Sequence, residues 1–260
     1  MSKNFELLQR VAKEEYFNGP DDTVPAPQKA PAVVPIKKEP ASPEIAKLVP
    51  VRKDPPDPEI AKLVQRLFLQ TGKESGPKVV SFSGIARDDR SSWICARAAE
   101  ILADQADTSV CMVEANFWSP QLHVHSGAAN RIGLAEALTT NGPIRNFATP
   151  VCGQNLWLLP SGLVKPGFYP AIERYRERFA ELRESFDYIL VSAPPLSRET
   201  EAAWIGKLAD GVVLIVEANQ NRRETVRRAK EQLECAKVQL IGAVLDQRTF
   251  PIPEKLYQRL

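Results

Sequence analysis

Residues 186–217 read FDYILVSAPPLSRETEAAWIGKLADGVVLIVE. Tyr188–Ser192 and Gly211–Glu217 are short, nearly unbroken apolar runs. That is the pattern of strands buried on both faces. Glu199–Leu208 lies between them and reads as a helix. Strand, helix and strand in this order make a parallel pair with a helical crossover. The alternation extends outward in both directions. Upstream, Lys78–Phe82 (KVVSF), Ser109–Glu114 (SVCMVE) and Leu156–Leu159 read as strands, and Ser91–Ala103 and Ile172–Glu184 as helices. Downstream, Arg222–Ala236 reads as a helix and Val238–Leu245 as a last strand. The pattern predicts an α/β domain over residues 58–260: a doubly wound, mostly parallel sheet with helices on both faces. Its sites are expected at the carboxyl ends of the strands.

Composition narrows the class. Of 260 residues, 43% are hydrophobic and 25% charged, which excludes a wholly disordered or fibrous chain. Lys and Arg number 34 against 32 Asp and Glu, so the net charge of +2 argues against nucleic acid as the partner. No apolar run approaches the roughly 18 residues that cross a bilayer. The opening MSKNFELLQR has no apolar signal core. A cytoplasmic location is expected. Cys95, Cys111, Cys152 and Cys235 form no C-x-x-C pair, which argues against a disulfide framework and a Cys-rich zinc site.

Proline is abundant, with 22 residues, half of them between Pro20 and Pro58. That stretch cannot bury enough apolar surface to offset its ordering entropy, so residues 19–57 are expected to form a disordered, Pro-rich linker. Residues 1–18 precede it. Phe5, Leu8, Val11 and Ala12 there share one helical face, so a short amphipathic helix in need of a partner surface is expected. PEIAKLV occurs twice, at Pro43–Val49 and Pro58–Val64. Pro followed by Glu suits a helix start. The second copy continues through Leu67 and Phe68, giving a stripe of Ile60, Leu63, Val64, Leu67 and Phe68. Two roles stay open for it: packing on its own domain, or docking and oligomerisation in which the first copy competes for the same groove.

In a doubly wound fold the first strand-to-helix turn is where phosphate is held. Here it reads Ser83-Gly84-Ile85-Ala86-Arg87-Asp88-Asp89-Arg90-Ser91-Ser92-Trp93. A working phosphate loop uses glycines so that successive N–H groups wrap the phosphates, and a Lys to reach them. This turn has one Gly, an Arg in place of the Lys, and two adjacent carboxylates that oppose a triphosphate. Ser91 and Ser92 are suited to capping the helix.

Longer segments carry a resemblance. Val110–His123 (VCMVEANFWSPQLH) is similar to the second nucleotide-site motif of bacterial tyrosine kinases, an apolar strand followed by D-x-D-x-R-x-P-x-x-H. Phe186–Pro195 resembles that family's F-D-Y-hhh-D-T-P-P segment. Ala209–Asn219 and Ile241–Asp246 (IGAVLD) resemble its closing strand-helix-strand. Gly133-Leu134 and Asn155–Gly162 (NLWLLPSG) match further landmarks, and the first fifteen residues resemble the N-terminal motif of kinases linked to exopolysaccharide loci. These capsule and exopolysaccharide kinases are MinD/ParA-type P-loop ATPases. The resemblance implies a P-loop NTPase-like fold, and ATP and magnesium as cofactors where the site still functions.

The departures fall on the chemistry. Arg87, Asp88, Asp89 and Arg90 stand where the family has its glycines and Lys. The motif's first acid is Glu114, its second is Asn116 and its Arg is Trp118. Ser192 replaces the Walker B acid, Glu201 stands for the acid beyond the Pro-Pro pair, and the C-terminal tyrosine cluster is reduced to Tyr257. Phosphoryl transfer is mostly positioning and charge neutralisation, so these losses together are expected to abolish it. The catalytic positions Glu114, Ser192 and Glu201 are therefore read as vestigial, as is a phosphate loop of Gly84, Arg90, Ser91 and Ser92. No metal or cofactor is assigned.

The implied role is a regulatory or interaction subunit of exopolysaccharide or capsule synthesis. It would dock on a membrane chain-length protein or an active kinase paralogue, peripheral to the inner membrane through that partner, with self-association open. Two alternatives stand: a divergent ATP-binding autokinase or ATPase, and a ParA/MinD-like positioning protein using the basic Arg222, Arg223, Arg227, Arg228 and Lys230. Glu114 and Glu201 are open as a metal pair or as structural carboxylates. His123 and His125 lack a third ligand. Trp93, Trp118 and Trp157 suit either filling of an empty nucleotide pocket or ordinary core packing.

Overall fold

Among the described residues the strands are Val79–Gly84 (β1), Val110–Glu114 (β2), Thr149–Cys152 (β3), Leu156–Leu159 (β4), Tyr188–Ser192 (β5), Gly211–Glu217 (β6) and Leu240–Asp246 (β7). The helices are Pro58–Phe68 (α1), Arg90–Ala106 (α2), Leu122–His125 (α3), Leu134–Thr139 (α4), Ile172–Ser185 (α5), Glu199–Leu208 (α6) and Arg223–Cys235 (α7). The computed structural model describes residues 57–69, 76–86, 90–106, 108–152, 155–165, 167–168, 170–197 and 199–247, all within the unit Ile45–Leu260. The segment 1–18, nearly all of 19–57, the first PEIAKLV copy and Tyr257 lie outside the described residues.

One seven-stranded sheet runs β3-β4-β2-β5-β1-β6-β7. Every pair is parallel except β3 with β4. This is the doubly wound, mostly parallel sheet that the strand pattern predicts. Successive side chains of a strand point to opposite faces. Val80, Phe82, Val110, Met112, Leu190 and Val213 therefore pack on one face with α1 and α2. Val79, Cys111, Val113, Ile189 and Val191 pack on the other with α4, α5 and α6. Over β6 that second layer continues through Val212 and Leu214 against α6 and α7.

The stripe on α1 packs intramolecularly. Ile60, Val64 and Phe68 are buried, Leu63 and Leu67 pack against the same core, and Phe68 meets Tyr188 edge-on at 5.4 Å. Asp57 caps the helix by accepting from the Glu59 N–H at 2.9 Å, and Pro58 takes the first position. That corrects the docking reading of this stripe: its apolar face is already covered.

The short helix α4 is tied to α5 by a buried arginine. Arg178 is only 3% exposed. Its Nε donates to Ala137 O at 2.7 Å, Nη2 to Thr140 O at 2.6 Å, and Nη1 to Gly142 O at 2.9 Å and to the Glu181 carboxylate at 2.8 Å. Arg174 adds a second bond to Thr140 O at 2.9 Å. These donors satisfy carbonyls that the end of a helix leaves without intrahelical partners.

Candidate functional site

The first strand runs two residues further than its apolar pattern suggests. Gly84 is its last residue, and the Gly84 carbonyl accepts from Leu196 N at 2.9 Å. Gly84 is therefore the last sheet residue before the turn. Residues 87–89 lie outside the described residues. Helix α2 opens at Arg90, so Ser91 and Ser92 sit inside its first turn and are buried, which corrects their reading as caps.

Arg90 stands where a phosphate-binding lysine would be, but its guanidinium is engaged elsewhere. Nε donates to Asp246 Oδ2 at 2.8 Å and Nη2 to Oδ1 at 3.1 Å. The group also stacks over the Trp93 ring, 4.2 Å from its centre. Asp246 ends β7, and the hydrogen bonds from Arg90 hold its carboxyl below the usual carboxylate range. A planar two-toothed pair of this kind fixes direction as well as charge.

Glu114 ends β2 and lies in register with Ser192, the last residue of β5. It is wholly buried. One oxygen accepts from the N–H groups of Gln121 and Leu122, each at 2.8 Å. The other accepts from Asn116 N at 3.2 Å. The Ser192 hydroxyl also bonds the carboxyl, and Ser92 Oγ lies 2.8 Å from Ser192 Oγ. With Ser192 donating to the carboxyl, Ser92 donates to Ser192. Burial pushes the Glu114 carboxyl up to about 7, and the four hydrogen bonds oppose that rise in part. Asn116 accepts from Trp118 N and Ser119 N, each at 3.3 Å, so it shapes the turn rather than carrying a charge.

The candidate residues thus form two closed units. Glu114, Ser192 and Ser92 make a buried hydrogen-bond chain, and Arg90 is paired with Asp246. A magnesium triphosphate needs a free cation for its phosphates and carboxylates for the shell of the metal. The described residues do not fit that group: the cation faces a carboxylate, and the carboxylate is filled with N–H and hydroxyl donors.

The remaining candidates scatter. Glu201, on α6, accepts from Trp118 Nε1 at 2.6 Å instead of joining Glu114. The three tryptophans do not converge: Trp93 packs beside Arg90, Trp118 is 59% exposed, and Trp157 on β4 packs against Phe186. Among the described residues no cluster of three His, Cys, Asp or Glu includes His123 or His125. The basic side chains of α7 are exposed or half-exposed, with Arg227 paired to Glu231 and Lys230 to Glu234.

A third feature joins two of the sequence landmarks, Gly133-Leu134 and Asn155–Gly162. The Glu136 carboxylate accepts from Gly133 N at 2.8 Å and Leu163 N at 3.0 Å. Asn130 Oδ1 accepts from Gly162 N at 2.8 Å. Together they fasten the start of α4 to the chain leaving β4. A β-carbon on Gly133 would run into the Pro160 carbonyl and come within 2.7 Å of the Gly162 nitrogen. Gly133→Ala is therefore expected to destabilise the domain by about 2–3 kcal/mol, because backbone rather than a pliant side chain must yield. Chemical denaturation checks this; a loss within about 0.5 kcal/mol, the range of an ordinary surface substitution, would show that the junction has slack.

No family model matches the chain. Its sequence relatives are bacterial tyrosine-protein kinases. Tyrosine-protein kinase CpsD of Streptococcus agalactiae is 26% identical over 179 residues, covering 68% of this chain and 77% of the relative. Tyrosine-protein kinase wzc of Salmonella typhimurium is 25% identical over 172 residues, covering 65% of this chain but 24% of that protein. Among solved structures, the chimerical protein CapA2B2 matches with a TM-score of 0.68 at 21% identity, over 76% of this chain and 87% of the other. MinD in the MinC:MinD cell division protein complex of Aquifex aeolicus matches with a TM-score of 0.58 at 20% identity, over 70% and 72%. At these identities the structural likeness speaks for the fold, which is that of the MinD-like P-loop ATPases.

Proposed function

We propose that the chain is a catalytically silent, tyrosine-kinase-like P-loop protein that serves capsule or exopolysaccharide synthesis by binding rather than by phosphoryl transfer. One observation carries the reading: the guanidinium of Arg90, the residue that the resemblance aligns with the phosphate-binding lysine, is held on Asp246 at 2.8 and 3.1 Å. The saturated Glu114–Ser192–Ser92 chain supports it from the other side of the turn.

The partner in this reading is a membrane chain-length protein or an active kinase of the same family. The relatives support that choice. The aligned region is most of CpsD but about a quarter of wzc, so the same module occurs nearly alone and within a longer protein. Among the described residues no helix is long and apolar enough to cross a membrane, so membrane association in this reading comes through the partner.

The test is binding and turnover with labelled ATP and magnesium on the full chain. No saturation is expected up to about 1 mM, a binding free energy weaker than roughly −4 kcal/mol. No label is expected on the protein. Turnover above a buffer control that disappears in Glu114→Gln would overturn the reading in favour of a divergent ATPase or autokinase.

A further inference from the structure

On the α5–α6 side of the sheet, away from Arg90 and Ser92, five aromatic side chains surround a cavity of about 440 Å³. Phe117 and Trp118 follow β2, Phe168 precedes α5, Tyr175 belongs to α5 and Trp204 to α6. The rings brace one another: Phe117 meets Phe168 edge-on at 5.1 Å, and Tyr175 meets Trp204 at 4.5 Å. A volume of this size is that of a small-molecule site rather than of a packing defect.

Among the described lining residues there are two charges. Glu201 is half-buried, and its carboxylate is fixed by the Trp118 indole N–H at 2.6 Å. Lys165 is exposed, where water screens it. The charge that reaches the interior is therefore the negative one. Burial and then the Glu201 charge raise the Tyr175 hydroxyl above its usual range, so the field of Glu201 extends to the aromatic wall.

Aromatic faces attract cations electrostatically, and they do so best when the cation has shed its water. A small inorganic ion cannot replace its hydration shell with ring carbons. An alkylated ammonium ion carries its charge behind methyl groups that pack on those carbons. We propose that this pocket binds an organic cation, an alkylated ammonium group seated among Phe117, Trp118, Phe168, Tyr175 and Trp204 with Glu201 as its counter-ion. The assignment is independent of whether ATP binds and of the likeness to tyrosine kinases.

The experiment titrates the full chain with choline chloride and, separately, with its neutral isostere 3,3-dimethylbutan-1-ol, following tryptophan fluorescence from Trp118 and Trp204 with sodium chloride as the ionic control. Choline is expected to give a saturable change, with the neutral isostere at least tenfold weaker. Glu201→Gln keeps an oxygen to accept from Trp118 and removes the charge. It is expected to weaken choline about tenfold and leave the isostere unchanged, at an unaltered melting temperature. Lys165→Ala is expected to tighten choline about threefold. Equal binding of the two probes would show a merely apolar pocket and overturn the assignment, as would no response to choline up to about 100 mM or an unchanged response in Glu201→Gln.

Discussion

Replacing Arg178 with methionine is expected to lower the unfolding free energy by about 4 kcal/mol, the range found when one partner of a buried charged network is removed. Methionine fills much of the volume and leaves the Ala137, Thr140 and Gly142 carbonyls without the donors that reach them at 2.6–2.9 Å. A buried acceptor left unpaired, as Ala137 O would be, costs about 1–3 kcal/mol; Thr140 and Gly142 are exposed, and water takes over part of the donor's role there. Arg174 still reaches Thr140, so the loss falls below the simple sum. For a domain of this size the melting temperature should fall by roughly 10 °C. Arg178→Lys, with one compact donor group in place of a fork, is expected to lie between the two. A methionine variant within 1 kcal/mol of the parent would mean that the α4–α5 junction is supported by its apolar contacts alone.

The second large effect is on pH dependence. Glu114 is raised from its ordinary 4.5 to about 7 in the folded chain. A carboxyl with a raised folded value binds its proton more tightly when folded. Its contribution to stability is thus fully present below about 4.5 and lost as pH rises through about 7. The span corresponds to about 3 kcal/mol. Glu114→Gln removes this titration; its amide oxygen can still accept from Gln121 and Leu122, and its NH2 group gives up the 3.2 Å bond from Asn116 N, a loss that does not vary with pH. His123 is held below its usual value by burial and acts in the same window with the opposite sign. The difference between parent and variant cancels that contribution. Denaturant unfolding at about pH 5 and pH 8 should show the parent losing about 2.5 kcal/mol relative to Glu114→Gln on going from acid to base, because part of the span lies below pH 5. Parallel pH profiles for the two proteins would mean that Glu114 titrates near its ordinary value.

Much of this architecture can be read in the chain because buried parallel strands are apolar on both faces. Tyr188–Ser192, Gly211–Glu217, Leu156–Leu159 and the helix Glu199–Leu208 have in the structure the bounds that their patterns indicate. Strand β3 escaped because it is a four-residue antiparallel edge with Pro150 inside it. Helix α4 escaped because six residues are too few to show a period, and its N-terminus is fastened by long-range bonds such as Leu134 N to Pro160 O. Arg178 sits in IERYRERFAELRES, which reads as a solvated helix. Only the third dimension shows that this arginine, among several, points inward. The candidate site divides in the same way. Arg90, Glu114 and Ser192 stand out by position in the chain. Asp246, 156 residues from Arg90, and the aromatic pocket drawn from β2, α5 and α6 arise only on folding.

The position of β1 bears on how the protein is made. This fully buried strand ends at Gly84, yet its neighbours are β5, beginning at Tyr188, and β6, beginning at Gly211. At a synthesis rate of about 5–20 residues per second, β1 waits roughly 6–25 s for its second partner to be polymerised, longer still for both to clear the ribosome. Until β5 follows, VVSFSG has no native strand to pair with, and one of its edges stays open to non-native pairing until β6 arrives. Non-local pairing of this kind slows folding, since loop closure must precede any reward from the ladder. Nascent chains halted before about residue 210 should therefore be held by chaperones, and cooperative resistance to protease should emerge only once β6 has left the exit tunnel.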